Sequence, residues 1–244
     1  MNAGLAHLNG VTHANYQAYV FRPNLLDLTK ALLARGADPN ARLVKGPPVG
    51  GYGSTNTIGA TPFLLAAVSG DANAMRILQE KGADPRVATK SKLTPLMVAS
   101  GVGRAQDLTD EEKKVAFEAV KLAVEMGNDV NAQTEDGLAA LHGAALNGAD
   151  DIVNYLASKG ANLDIKDKHQ QTPLTIASGN RLPWVPKGEE LGEILRPTTR
   201  DLLLKLGAKP LDTPGYFTAV ETSYEYQMNQ SQRAVAPPAA ILPK

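Results

Sequence analysis

The chain contains no cysteine, which removes disulfides, thiolate nucleophiles and cysteine-based zinc sites and leaves the redox compartment open. It also lacks an excess of either charge: 25 Lys and Arg balance 25 Asp and Glu, so the formal net charge is zero. No overall field draws such a chain to nucleic acid or to an anionic membrane, and neither is expected as a partner. No stretch approaches the run of about 18 apolar residues that marks a membrane-spanning helix. The opening MNAGLAHLNGVTHANY has neither the basic region nor the apolar region of a secretory leader. The expectation is a soluble protein, cytoplasmic, or periplasmic or secreted if a leader has been removed.

What the chain has is a phrase that returns. Gly36-Ala37-Asp38-Pro39-Asn40 is followed by Gly82-Ala83-Asp84-Pro85-Arg86, Gly127-Asn128-Asp129-Val130-Asn131, Gly160-Ala161-Asn162-Leu163-Asp164 and the truncated Gly207-Ala208-Lys209-Pro210. Each copy follows an amphipathic run; Leu25, Leu26, Leu28, Leu32 and Leu33, for example, share one broad helical face, with Asn24 as N-cap and Gly36 as a left-handed stop. A second phrase alternates with the first, as Thr61-Pro62-Phe63, Thr94-Pro95-Leu96 and Thr172-Pro173-Leu174. A threonine hydroxyl caps free amides at a helix start, and proline at the first helical position forfeits no bond. The corresponding Ala139-Ala140-Leu141-His142 has lost both features, which predicts a weaker start.

Distances along the chain separate repeat from insertion. The capping positions 61, 94, 139 and 172 are spaced by 33, 45 and 33 residues. Measured against the glycines, 13 extra residues fall in the first connection, after Leu43, and 12 and 14 extra residues fall between paired helices in the units beginning at Thr94 and Thr172. The second insertion, Gly101 to Lys114, ends in Thr109-Asp110-Glu111-Glu112, whose capping-box spacing predicts a lengthened following helix. The third holds Leu182-Pro183-Trp184-Val185-Pro186 and a short helical run from Glu189 to Leu195.

A period of 33 with two antiparallel helices and a turn is ankyrin spacing, and the words agree with it. Gly59-Ala60-Thr61-Pro62-Phe63-Leu64-Leu65-Ala66-Ala67 and Asp136-Gly137-Leu138-Ala139-Ala140-Leu141-His142-Gly143-Ala144-Ala145 resemble the family's G-x-T-P-L-H-x-A-A, and Leu32-Leu33-Ala34-Arg35-Gly36-Ala37-Asp38-Pro39-Asn40 resembles its L-L-x-x-G-A-D-x-N. The resemblance covers about residues 24–210 and is nearest to insertion-bearing ankyrin proteins of environmental bacteria. It implies an all-α ankyrin-repeat solenoid of four to five helix-turn-helix units with long loop insertions. Residues 1–23 are then an irregular segment or partial first repeat, and residues 211–244 an irregular tail or aromatic strap.

Catalytic, cofactor and metal sites are not expected. His142 near Asp136 invites an enzymatic reading, but no supporting constellation accompanies it, and the resemblance implies a structural histidine bonded to the capping turn. His7, His13 and His169 lack zinc-site spacing. The glycine-rich insertion Leu43–Ser54 lacks the Gly-Lys-Ser/Thr ending of a phosphate-binding loop. A finger beside the binding face is the better reading, with Tyr52 placed to touch a partner. Trp184 is either an interface anchor or a cover over the apolar stack.

In the ankyrin architecture the helix-1 position after Thr-Pro-Leu-x faces the concave surface. Here it holds Leu65, Val98, Gly143 and Ile176, with Val68 and Leu146 three residues on in two units. Such a stripe is either a groove for an apolar peptide or helix, or core. The expected function is a monomeric protein-protein interaction module that binds a protein partner through groove and fingertips, without catalysis. Alternatives are an architectural role as the C-terminal part of a larger solenoid and, less favoured, an enzyme whose site is built from the insertions.

Overall fold

The computed structural model describes residues 25–45, 57–103, 108–179 and 196–210. Within them the chain is helical: α1 Leu25–Ala34, α2 Pro62–Val68, α3 Ala72–Glu80, α4 Pro95–Ala99, α5 Asp110–Glu125, α6 Ala140–Leu146, α7 Asp150–Ser158, α8 Pro173–Ala177 and α9 Pro197–Leu206. Consecutive pairs form the units α2–α3, α4–α5, α6–α7 and α8–α9, and α1 is the second helix of a preceding unit. The short helices α2, α4, α6 and α8 pack side by side in one layer, while α1, α3, α5, α7 and α9 pack side by side in the other. This is an all-α ankyrin-repeat solenoid.

Each helix starts where its chemistry dictates. The hydroxyls of Thr61, Thr94 and Thr172 accept from the amides of Leu64, Met97 and Thr175, with proline opening all three helices. Ala139 offers no such acceptor, yet α6 reaches seven residues, the same as α2. The start there rests on the reverse bond, from the Ala139 amide to His142 Nδ1 at 2.9 Å. The layers approach closely because their facing side chains are small: Ala66, Ala67, Ala99, Ala144, Ala145 and Ala177 are all buried. Phe63, Leu96, Leu141 and Leu174 fill the space between.

The fingers between units stack through one backbone bond per junction, in constant register. Lys90 N–H donates to Ile58 O at 3.0 Å, Glu135 N–H to Ser91 O at 3.1 Å and Lys168 N–H to Asp136 O at 2.9 Å. A side-chain bridge runs alongside. Asn40 Nδ2 donates to Gly82 O at 2.9 Å and Asn40 Oδ1 accepts from Asp84 N–H at 2.8 Å. Asn131 repeats the pattern with Gly160 O at 3.0 Å and Asn162 N–H at 2.7 Å.

The first insertion hangs from a closed stem. Leu43 N–H donates to Ala60 O at 2.9 Å and Gly59 N–H to Leu43 O at 2.7 Å. The second lengthens α5 to 16 residues, against nine for α3 and α7, behind a Thr109–Glu112 capping box. Both units with insertions between their helices have a helix 1 of only five residues. There Gly101 (φ +99°) and Gly179 (φ +84°) stand where Val68 and Leu146 stand in the uninterrupted units. A left-handed turn that only glycine adopts at low cost ends the helix early and releases the chain into the insertion.

Candidate protein-binding face

The helix-1 stripe divides into two kinds of residue. Leu65, Val68 and Leu146 are half-buried and pack against the core while keeping part of their surface open. Val98 and Ile176, expected beside them as groove-lining residues, are instead core, at 4% and 3% exposure. The reason lies in the insertions, whose anchored ends are bonded next to these two side chains. Val102 N–H donates back to Met97 O at 3.0 Å, and Arg196 N–H donates to Ala177 O at 2.9 Å. Gly143 belongs to this arrangement. A Cβ there would lie 2.4 Å from Val102 N and 2.8 Å from Gly101 C, so the inserted turn presses on bare backbone of α6. Asn147 secures the contact, its Nδ2 donating to Gly143 O at 2.8 Å and to Gly101 O at 3.3 Å.

Tyr52 and Trp184 lie outside the described residues, as do the segment 1–23, the helical run from Glu189 to Leu195 and the tail 211–244. The partly open surface that the structure describes is therefore Leu65 and Val68 on α2, Leu146 on α6, and the fingers beside them.

His142 is buried and holds two bonds. Its Nδ1 accepts from the Ala139 amide, so Nε2 carries the proton and donates to Gln171 O at 3.1 Å. Burial depresses its pKa below the ordinary imidazole value, a shift opposed by the Gln171 carbonyl and the Asp167 carboxylate. A neutral ring tied to two successive units is a joint. At the equivalent position Met97 and Thr175 supply the same acceptor, Met97 Sδ for the Thr94 amide at 3.4 Å and Thr175 Oγ1 for the Thr172 amide at 2.8 Å. Among the described residues no cluster of His, Asp and Glu could hold a metal ion, and no helix is long and apolar enough to cross a membrane.

The outer layer carries a different surface. Phe117 on α5 meets Tyr155 on α7 edge to face at 5.6 Å between ring centroids. Lys121 and Lys159 lie over the two rings at 4.8 and 5.3 Å. The cations and the half-buried rings close this face over with contacts of its own.

Comparison with known proteins agrees with the geometry. Residues 112–185 match the family model of ankyrin repeats (3 copies), and the chain is an ankyrin-repeat protein. It is 33% identical over 104 residues to the mouse RelA-associated inhibitor, covering 43% of this chain and 12% of that protein. It is 31% identical over 135 residues to the mouse B-cell lymphoma 3 protein homolog, covering 55% and 28%. It is 26% identical over 156 residues to alpha-latrocrustotoxin-Lt1a of Latrodectus tredecimguttatus, covering 64% and 9%. The chain thus spans between about a tenth and somewhat over a quarter of these relatives. All three come from animals, so they lend no support to the expected bacterial placement.

Proposed function

We propose that this protein binds a protein partner through the helix-1 side of its solenoid and the adjoining fingers, and that it does so without catalysing a reaction. The observation that carries this reading is the division of the apolar stripe. Burial absorbs Val98 and Ile176, while Leu65, Val68 and Leu146 keep open surface next to a rigid ladder of fingers. Loops held on a rigid scaffold present contacts with little ordering cost. Tyr52 in the first insertion and Trp184 in the third, both outside the described residues, are the further residues assigned to partner contact. The RelA-associated inhibitor, one of the similar proteins, is named for association with another molecule. The protein works as a monomer, with no membrane or nucleic acid as partner.

The experiment is capture of partners from an extract of the source organism, comparing the intact chain with a variant lacking residues 46–56. Specific capture by the intact chain and its loss on deletion support the reading. Equal capture by both removes the finger from the interface. A second reading, a stretch of a larger solenoid with an architectural role, draws on α1, which buries no residue and leaves Leu28 and Leu32 at 48% and 52% exposure.

A further inference from the structure

The fingers are not alike in charge. The first two carry Arg42, Lys45, Lys90 and Lys92, all exposed, and among the described residues none of the four is ion-paired with a carboxylate. Two of them, Arg42 and Lys90, meet at Gly59. Arg42 Nη1 donates to Gly59 O at 3.4 Å and to Ala88 O at 3.2 Å, bridging the two fingers. A Cβ on Gly59 would sit 3.4 Å from that nitrogen and 3.5 Å from Lys90 Cγ, so the Arg42 head and the Lys90 stem flank the same glycine. Lys92 follows two residues on at the turn, in the left-handed conformation (φ +61°). Residues 46–56, which complete the first finger, contain no charged side chain, so the insertion brings nothing to neutralise these cations.

The next finger along the ladder reverses the sign with exposed Glu135, beside Asp136, whose carboxylate is ion-paired with Lys168. The basic patch is therefore bounded, which disfavours a long polyanion tracking from finger to finger, since it would run onto carboxylates. Apolar surface is at hand instead: Val44, next to Lys45 in the chain, is 81% exposed, and half-buried Leu65 and Val68 lie on α2, the helix that the first finger leads into. We infer that the first two fingers receive a short acidic peptide segment of the partner, its carboxylates meeting Arg42, Lys45, Lys90 and Lys92 and an interspersed apolar side chain meeting Val44 and Leu65. This assignment rests on the protein-binding reading above and narrows it to a partner class.

The test uses the full chain and three fluorescent probes: a peptide of Glu-Glu-Leu repeats, its Lys-Lys-Leu counterpart and an oligouridylate of matched length. Binding of the acidic peptide is expected, weakening between about 50 and about 300 mM NaCl as screening increases. Lys45→Glu, Lys90→Glu and Lys92→Glu together should reduce that affinity by about tenfold or more. The milder Lys→Gln set should give a smaller loss, and Lys113→Glu with Lys114→Glu on α5 no loss. Urea midpoints of all variants control for folding. Failure of the acidic peptide to bind at low salt, indifference to the charge reversals, or equal binding of the oligouridylate overturns the inference. If the charge-reversed chain still captures the same cellular proteins as the intact chain, the acidic segment is wrong while the protein-binding reading stands.

Discussion

Asn128 Nδ2 donates to Pro85 O at 3.0 Å, tying the third unit back to the second in the direction opposite to the joints on either side. At those neighbouring joints Asn40 and Asn131 reach forward. Here the forward position is Arg86, whose Nε turns to Asp84 Oδ1 at 3.3 Å. Asn128 occupies the place that Ala83 and Ala161 hold elsewhere, and its amide also donates to Ala123 O at 3.0 Å. One asparagine, moved to the other side of the junction, replaces the lost bridge.

Asn128→Ala should therefore destabilise the fold by about 0.5–1.5 kcal/mol, the net worth of a typical hydrogen bond, because Pro85 O loses its donor while Ala123 O keeps the backbone amide of residue 128. Arg86→Asn in the same chain should recover part of the loss by restoring the forward bridge. Urea unfolding of the wild type, both single variants and the double variant measures the coupling.

Gly143→Ala sets two effects against each other. Alanine is the better helix former by about 1 kcal/mol, but its Cβ would fall 2.4 Å from the Val102 amide nitrogen. Backbone cannot yield as a side-chain tip does, so the clash wins and the variant should lose about 1–3 kcal/mol. A rise in the thermal midpoint would show that the inserted turn does not press on α6.

This glycine also shows where the sequence was and was not legible. The capping threonines, the prolines after them and the closing glycines act over three or four residues, so repeat boundaries, insertion sites and the lengthened α5 could be read directly. Burial of Val98 and Ile176 depends on where an inserted turn lands, which spacing does not reveal. Two signals were available all the same. A glycine inside a helix, as at 143, points to close approach of another backbone, and glycine at 101 and 179 in place of Val68 and Leu146 marks the early helix ends. Tyr52 and Trp184 remain expectations, since they lie outside the described residues.

Lys92 and Gln170 adopt positive φ, +61° for each, where the equivalent turns use Gly59 and Gly137. Both side chains are exposed, so Lys92→Gly and Gln170→Gly relieve strain without removing packing. A gain of up to about 1 kcal/mol each is expected, the relief being partly offset by the added freedom of glycine in the unfolded chain. Thermal denaturation at pH 7.5 or thereabouts, away from histidine titration, measures it.

His142 makes stability depend on pH. Its folded pKa lies below the unfolded value of about 6.5, because burial disfavours the charged ring. The unfolded chain therefore binds the extra proton as pH falls through about 6.5. Stability declines from there down to the folded pKa, by at most about 1.4 kcal/mol per pH unit, and the contribution is fully present above about 6.5. His142→Thr keeps an acceptor for the Ala139 amide, as Thr175 does for Thr172, and removes the titration. The slope of unfolding free energy between about pH 5 and 7 should flatten in that variant; an unchanged slope would assign it to other groups.

The most direct measurement of the binding face is site-specific photocross-linking in the source organism. A benzophenone side chain placed at Leu65 on α2 should link to a partner protein, whereas one placed at Tyr155 on the outer layer should not. Cross-links at Tyr155 with none at Leu65 would contradict the account and move the interface to the opposite side of the solenoid.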